Sequence, residues 1–283
     1  NSLGPYPALN YSSDPNYGPA YGANFMSPNF LINNDGNTML GNPTSFSSAE
    51  QAAVNAIRKF SNGVFNKSYV DPSAGITNTP ADAQRLQTFI SGLYGKLQTG
   101  QYNNPWGLGS VMNGDMYNVL FAEEIIAEFK PELLVVNMQD VDIGHFNFSQ
   151  YANNLRKADY AAAHLWNMIQ STPGMANDTV MVIVPEHGRN FNANTSADAY
   201  GRLALDHTAP VDLVSGDQMA REIFCMVVGP PTVVKQGLVI NTTEGESTEV
   251  VPAIANLLGF DNSIPLSAGI KNYNQCDIAQ AFY

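Results

Sequence analysis

The chain has 283 residues, 44% of them hydrophobic, which is enough for a sizeable buried core. Only 13% are charged, about half the roughly 25% of an average soluble domain, and 13 Lys+Arg against 25 Asp+Glu leave a formal net charge of −12. That acidity argues against nucleic acid as a partner. No apolar run approaches the roughly 18–20 residues of a membrane span, and two cysteines, Cys225 and Cys276, exclude a disulfide scaffold or a Cys-based zinc site.

In chain order, residues 1–46 are rich in Pro, Gly, Asn and Tyr and carry no helical or strand period, so an irregular arm is expected. Ser47 and Ser48, with Glu50 and Gln51 at capping-box spacing, predict a helix through Val54, Ile57 and Phe60. A second helix is expected from Thr79-Pro80, with Leu86, Phe89, Ile90 and Leu93 on its apolar face. After a Gly/Asn loop at 98–114, a third is expected over roughly 115–129, carrying Tyr117, Leu120, Phe121, Ile125 and Phe129 and stopped by Pro131.

From 132 the pattern changes. The runs 132–138, 179–184 and 223–228 read as strands buried on both faces. Ser149 is the expected cap of a long helix through Leu155, Ala158, Ala162, Leu165 and Ile169. A last helix is expected to open at Ser247-Thr-Glu-Val and close at Gly259. The predicted fold is therefore α/β, a mostly parallel sheet flanked by helices with an irregular N-terminal arm. The expected division is 1–46 (arm) and 47–283 (one α/β domain), the latter comprising a helical cap-like part (47–131), a metal-binding part (132–260) and a tail (261–283).

Candidate chemistry gathers on histidine. Of the four in the chain, His164 sits inside the long helix and reads as a helix-surface or packing residue. The other three follow expected strands beside carboxylates: Asp140-Val-Asp-Ile-Gly-His145, Glu186-His187-Gly188 and Asp206-His207. Open α/β sheets place ligand sites at the carboxyl ends of strands. Neutral imidazole with carboxylate oxygen suits Zn²⁺ or Mn²⁺ better than Ca²⁺, so one or two such ions are expected.

These motifs, in this order, resemble the metal-binding half of the alkaline phosphatase superfamily, which includes phosphodiesterases, sulfatases and phosphoglycerate mutases. Val227-Val-Gly-Pro-Pro231 and the helix ending at Gly259 are also similar to that family's late strand and helix. The resemblance covers about 132–260. It implies an alkaline phosphatase-like fold, with Asp142 or Asp140, His145 and His207 on one metal and Glu186 and His187 on a second. It further implies attack on a phosphate or sulfate ester by a Ser, Thr or modified Cys lying between the metals. Three departures stand out. Neither Asp lies at the family's interval of four before His145, Glu186 replaces an Asp, and residues 1–46 lack the strand that precedes the family's nucleophile. Ser27 and Thr38 are the only early hydroxyls that come into consideration, and no catalytic nucleophile is assigned.

Two readings follow. One is a metal-dependent hydrolase of small phosphate or sulfate esters, whose nucleophilic segment precedes the opening Asn1-Ser2-Leu3 or goes unrecognised. The other is a non-catalytic cell-surface or assembly protein on a degenerate version of the fold, its Tyr/Asn/Gly-rich arm lying on a neighbouring subunit. The neutral-polar surface and the start without Met or leader suit a secreted, periplasmic or cell-surface location.

Overall fold

The computed structural model describes residues 9–11 and 23–25 through their backbone, and residues 85, 88–89, 92–93, 95–207, 218–241, 245–259, 261 and 271–283. The chain divides into two compact units, Asn1–Met112 and Asn113–Tyr283. The helix expected from Ser47, and Ser27 and Thr38, lie outside the described residues.

In the first unit, β1 (Leu9–Tyr11) and β2 (Ala23–Phe25) pair antiparallel, Leu9 opposite Phe25 and Tyr11 opposite Ala23. This corrects the expectation of an arm without strands: three-residue strands are too short to show a period in the sequence. The described residues of 85–98 are helical and bury Leu93.

The second unit opens with α1 (Gly114–Phe129). Asn113 caps it, its side-chain oxygen accepting from the Met116 N–H at 3.2 Å, and Lys130 ends it in the left-handed region at φ 46°. Apolar residues lie nearly all round α1, so spacing alone does not choose its inner face. Met116, Val119, Leu120, Phe121 and Ile126 are buried, while Tyr117, Ile125 and Phe129 are half-buried. α2 (Phe148–Ser171) packs against α1 and buries Ala161, Leu165 and Ile169, one residue per turn. Its cap is Asn147, not Ser149 as expected: Asn147 Oδ1 accepts from the Gln150 N–H at 2.9 Å. Across the helix pair, His164 Nδ1 lies 2.6 Å from Glu123 Oε1.

The predicted parallel sheet is absent among the described residues. β3 (Met181–Ile183) pairs antiparallel with β4 (Met226–Val228), Val182 opposite Val227, and these two form a sheet of their own. The chain geometry explains the direction. The one-turn helix α3 (Gln218–Arg221) is joined to the exit of β3 by the Gly188 N–H bonding to Ala220 O at 2.8 Å, so β4 starts where β3 ends. A parallel partner needs a crossover back to the far end, about a dozen residues or more and usually helical.

The run 132–138 joins no ladder either. Within it, Asn137 O accepts from the Asn118 side chain of α1 at 2.8 Å, and just after it Asp115 of α1 accepts from the N–H of Gln139 (2.6 Å) and of Asp140 (3.0 Å). Leu133 and Val135 are exposed.

α4 (Val250–Leu257) follows a 3-10 turn at Ser247–Glu249, and Gly259 lies just beyond it at φ 79°. It contributes Ala253 to a small core with Val234, Cys276, Ile278 and Phe282. Val234 bridges Phe282, and Glu249, 3% exposed, accepts from Lys271 Nζ (2.7 Å) and from the N–H of Asp277 (2.7 Å) and Ile278 (3.3 Å). Both cysteines are free thiols, Cys276 inside this core and Cys225 exposed instead of buried in a strand. Among the described residues, no helix is long and apolar enough to cross a membrane.

Candidate metal centre

Asp140–His145 forms a 3-10 helix. With three residues per turn, positions i and i+3 eclipse, so Asp142 and His145 stand one above the other, Oδ1 to Nε2 at 3.2 Å. The three-residue interval that departs from the family pattern is the interval this turn requires. Asp140 points elsewhere: its Oδ2 accepts from the Asp115 N–H at 3.1 Å, at the start of α1.

His145 Nδ1 lies 2.6 Å from Asp206 Oδ1. A carboxylate accepts, so the Nδ1–H tautomer suits this contact, and in that tautomer Nε2 presents a lone pair toward Asp142. Two acceptors facing each other at this range require a proton or a cation between them. His187 is set the same way: Nδ1 lies 2.8 Å from the Gly188 carbonyl, leaving Nε2 as the free acceptor. Its ring stacks on His207 with centroids 3.7 Å apart, and His207 meets the edge of His145 at 4.7 Å. Burial, then the neighbouring His187 and His145, hold His207 below the usual imidazole range and so keep it in the neutral form a metal needs. Asp206 is held low as well, chiefly by its hydrogen bond with His145 and then by Asn194.

Asp142, His145 and His207 thus offer ligand atoms all within 4.8 Å of one another. Ligands at about 2.0–2.1 Å from a tetrahedral ion stand about 3.3 Å apart, so modest side-chain motion closes this set. Two nitrogens and one carboxylate oxygen form a donor set fit for Zn²⁺ or Mn²⁺. Of the six expected ligands, the structure gathers Asp142, His145, His207 and, stacked beside them, His187. Glu186 points to solvent, 93% exposed, with Oε2 3.8 Å from His187 Nε2. Asp140 is not part of the group.

Two contributors, Asn194 and Arg189, escaped the sequence reading, and Asp206, noted there beside His207, turns out to serve His145. Asp206 orients His145, Asn194 Nδ2 donates to the His145 carbonyl at 3.0 Å, and Arg189 reaches Asp142 Oδ1 at 3.2 Å. The adjacency of Asp206 to His207 was a visible signal. Arg189 and Asn194 gave none, because Asp142 and the His145 carbonyl lie 47 and 49 residues away from them in sequence. The segment 194–204 doubles back, Asn194 N–H to Ala204 O and Ala204 N–H to Ser196 O both at 2.8 Å. At its turn Asp198 accepts from the backbone N–H and the hydroxyl of Ser149, and the hydroxyl bond chiefly brings its carboxyl down to about 2. This hairpin, fastened to the start of α2, is what carries His207 back to His145.

Asp142, His145 and His207 thus form a group that could hold a metal ion. In comparisons with family models, with curated proteins and with solved structures, nothing matches this chain.

Proposed function

We propose that the chain is a divalent-metal-dependent hydrolase of phosphate or sulfate esters, holding its ion on Asp142, His145 and His207, with His187 available beside them. The observation that supports it best is the facing pair of acceptors, His145 Nε2 and Asp142 Oδ1 at 3.2 Å, beside a neutral His207. A Zn²⁺ or Mn²⁺ ion held there supplies Lewis acidity toward an anionic ester oxygen. The chain's part is to fix the tautomers of His145 and His187 through Asp206 and the Gly188 carbonyl, and to hold the 3-10 turn against the hairpin. The ester class rests on the motif resemblance; the metal rests on the geometry. An exported location is proposed on the charge-poor, Asn-rich surface.

Native mass spectrometry before and after chelator, run beside hydrolysis of p-nitrophenyl phosphate and p-nitrophenyl sulfate, tests both parts. Chelator-sensitive Zn²⁺ or Mn²⁺ binding, lost in His207→Ala together with turnover, is the expected result. Wild type without turnover of either ester overturns the hydrolase reading, and turnover that survives His207→Ala overturns the placing of the reaction on this metal group.

A second reading, a non-catalytic surface or assembly protein, is favoured by the apolar side chains left in solvent, Val135 at 78%, Phe224 at 55% and Leu133 at 50% exposed. Its test is oligomeric state: Val135→Asp should dissociate an assembly and leave a monomer unchanged.

A further inference from the structure

We infer that Arg189 is the positioning residue that locks the two ligand-bearing segments together, an inference that rests on the cation site proposed above. Asp142 and His145 come from one segment and His207 from another more than sixty residues along. The Arg189 guanidinium bonds to both. One arm of its fork donates to Val141 O and to Asp142 Oδ1, each at 3.2 Å, and the other donates to Leu205 O at 3.3 Å. The side chain is only 11% exposed and lies over the Tyr151 ring, 5.6 Å from its centroid.

The sequence makes room for it. A Cβ on Gly144 would stand 3.1 Å from Arg189 Cζ and 3.2 Å from both its terminal nitrogen and the Tyr151 ring. Gly144 therefore leaves the slot through which the guanidinium passes between the 3-10 turn and α2. The backbone repeats the connection, Leu205 N–H bonding to Gly144 O at 2.9 Å. A planar fork with several fixed donors suits this three-acceptor task, and a lysine ammonium on a flexible stem does not. Partners that orient a metal-binding carboxylate typically matter by roughly 10–100-fold in metal affinity.

The test is titration of the full chain with Zn²⁺ against a chromophoric chelator, and with Co²⁺ followed through its visible d–d bands. Wild type, Arg189→Lys, Arg189→Ala and Gly144→Ala are compared, with circular dichroism to check the fold. Expected are wild-type binding, a loss of roughly 10–100-fold in Arg189→Lys, altered d–d bands in both Arg189 variants, and partial recovery of Arg189→Ala by millimolar methylguanidinium. A general loss of stability would not be recovered by that small cation. Unchanged or tighter binding in Arg189→Lys overturns the inference and makes Arg189 a competing charge on Asp142. Failure of wild type to bind Zn²⁺, Mn²⁺ or Co²⁺ overturns the cation site itself, and this inference with it.

Discussion

An added Cβ at Gly188 would stand 2.0 Å from the carbonyl oxygen of Met219 and 2.6 Å from that of Glu222. The constraint is backbone against backbone, so no side chain can yield. Gly188→Ala should cost about 2 kcal/mol or more of stability and detach α3 from the exit of β3, which denaturant melts will measure. Gly109→Ala is the control, since nothing lies within 4 Å of its added carbon. Single residues also show what the sequence could and could not disclose. His145, His187 and His207 stood out because imidazole is scarce here and each lies beside a carboxylate. The choice between Asp140 and Asp142 stayed open because it turns on a 3-10 period of three, and no helical turn was expected there. Arg189 was invisible because its three acceptors are brought to it only by folding.

At the scale of elements, the junction of α1 with the 3-10 turn is built on two carboxylates. Asp115, 1% exposed, accepts from two backbone N–H groups, and Asp140 accepts from the N–H of Asp115. Burial outweighs the bonds that Asp115 receives and, aided by the nearby Asp140, raises its carboxyl from 3.8 to about 6. The folded protein therefore binds this proton more tightly than the unfolded chain. Its contribution to stability is full below pH 3.8 and is lost as pH rises through about 6, about 3 kcal/mol between the limits. Urea melts of wild type and Asp115→Asn at pH 4.5 and pH 7 should differ by about 2 kcal/mol of this component, and identical pH slopes in the two proteins would refute it. The same junction explains the misread strand. The run 132–138 has strand composition, but its end is held by side chains of α1, Asn118 on Asn137 O and Asp115 on the two N–H groups that follow, and nothing in a one-dimensional apolar pattern distinguishes a side-chain partner from a neighbouring strand.

Over the whole molecule, helix placement was far more legible than sheet topology. Caps, Pro131 and Gly259 act locally, and α1, α2 and α4 lie within a few residues of where those signals set them. Strand direction depends on how the connection runs, and the one-turn α3 returns the chain beside its own exit. The second unit is closed by its last residues: Glu249 holds Lys271 and two backbone N–H groups of the terminal segment. Glu249→Ala should cost about 2 kcal/mol through those two amides alone. Limited proteolysis should then remove the terminal residues while the cation site keeps its affinity, and a terminal segment that stays resistant would argue against the tether.

Cys276 lies in that terminal core with its thiol donating to Asn272 O at 3.3 Å, and burial chiefly raises its pKa. A sulfur so placed cannot be alkylated until the segment lifts away, because the thiolate is the reactive form. In a Cys225→Ser background, the labelling rate of Cys276 relative to a free thiol is the fraction of time that the end of the chain spends detached. The protein thus carries a built-in clock for its own local opening, readable by mass without a probe and sensitive to every substitution around Glu249.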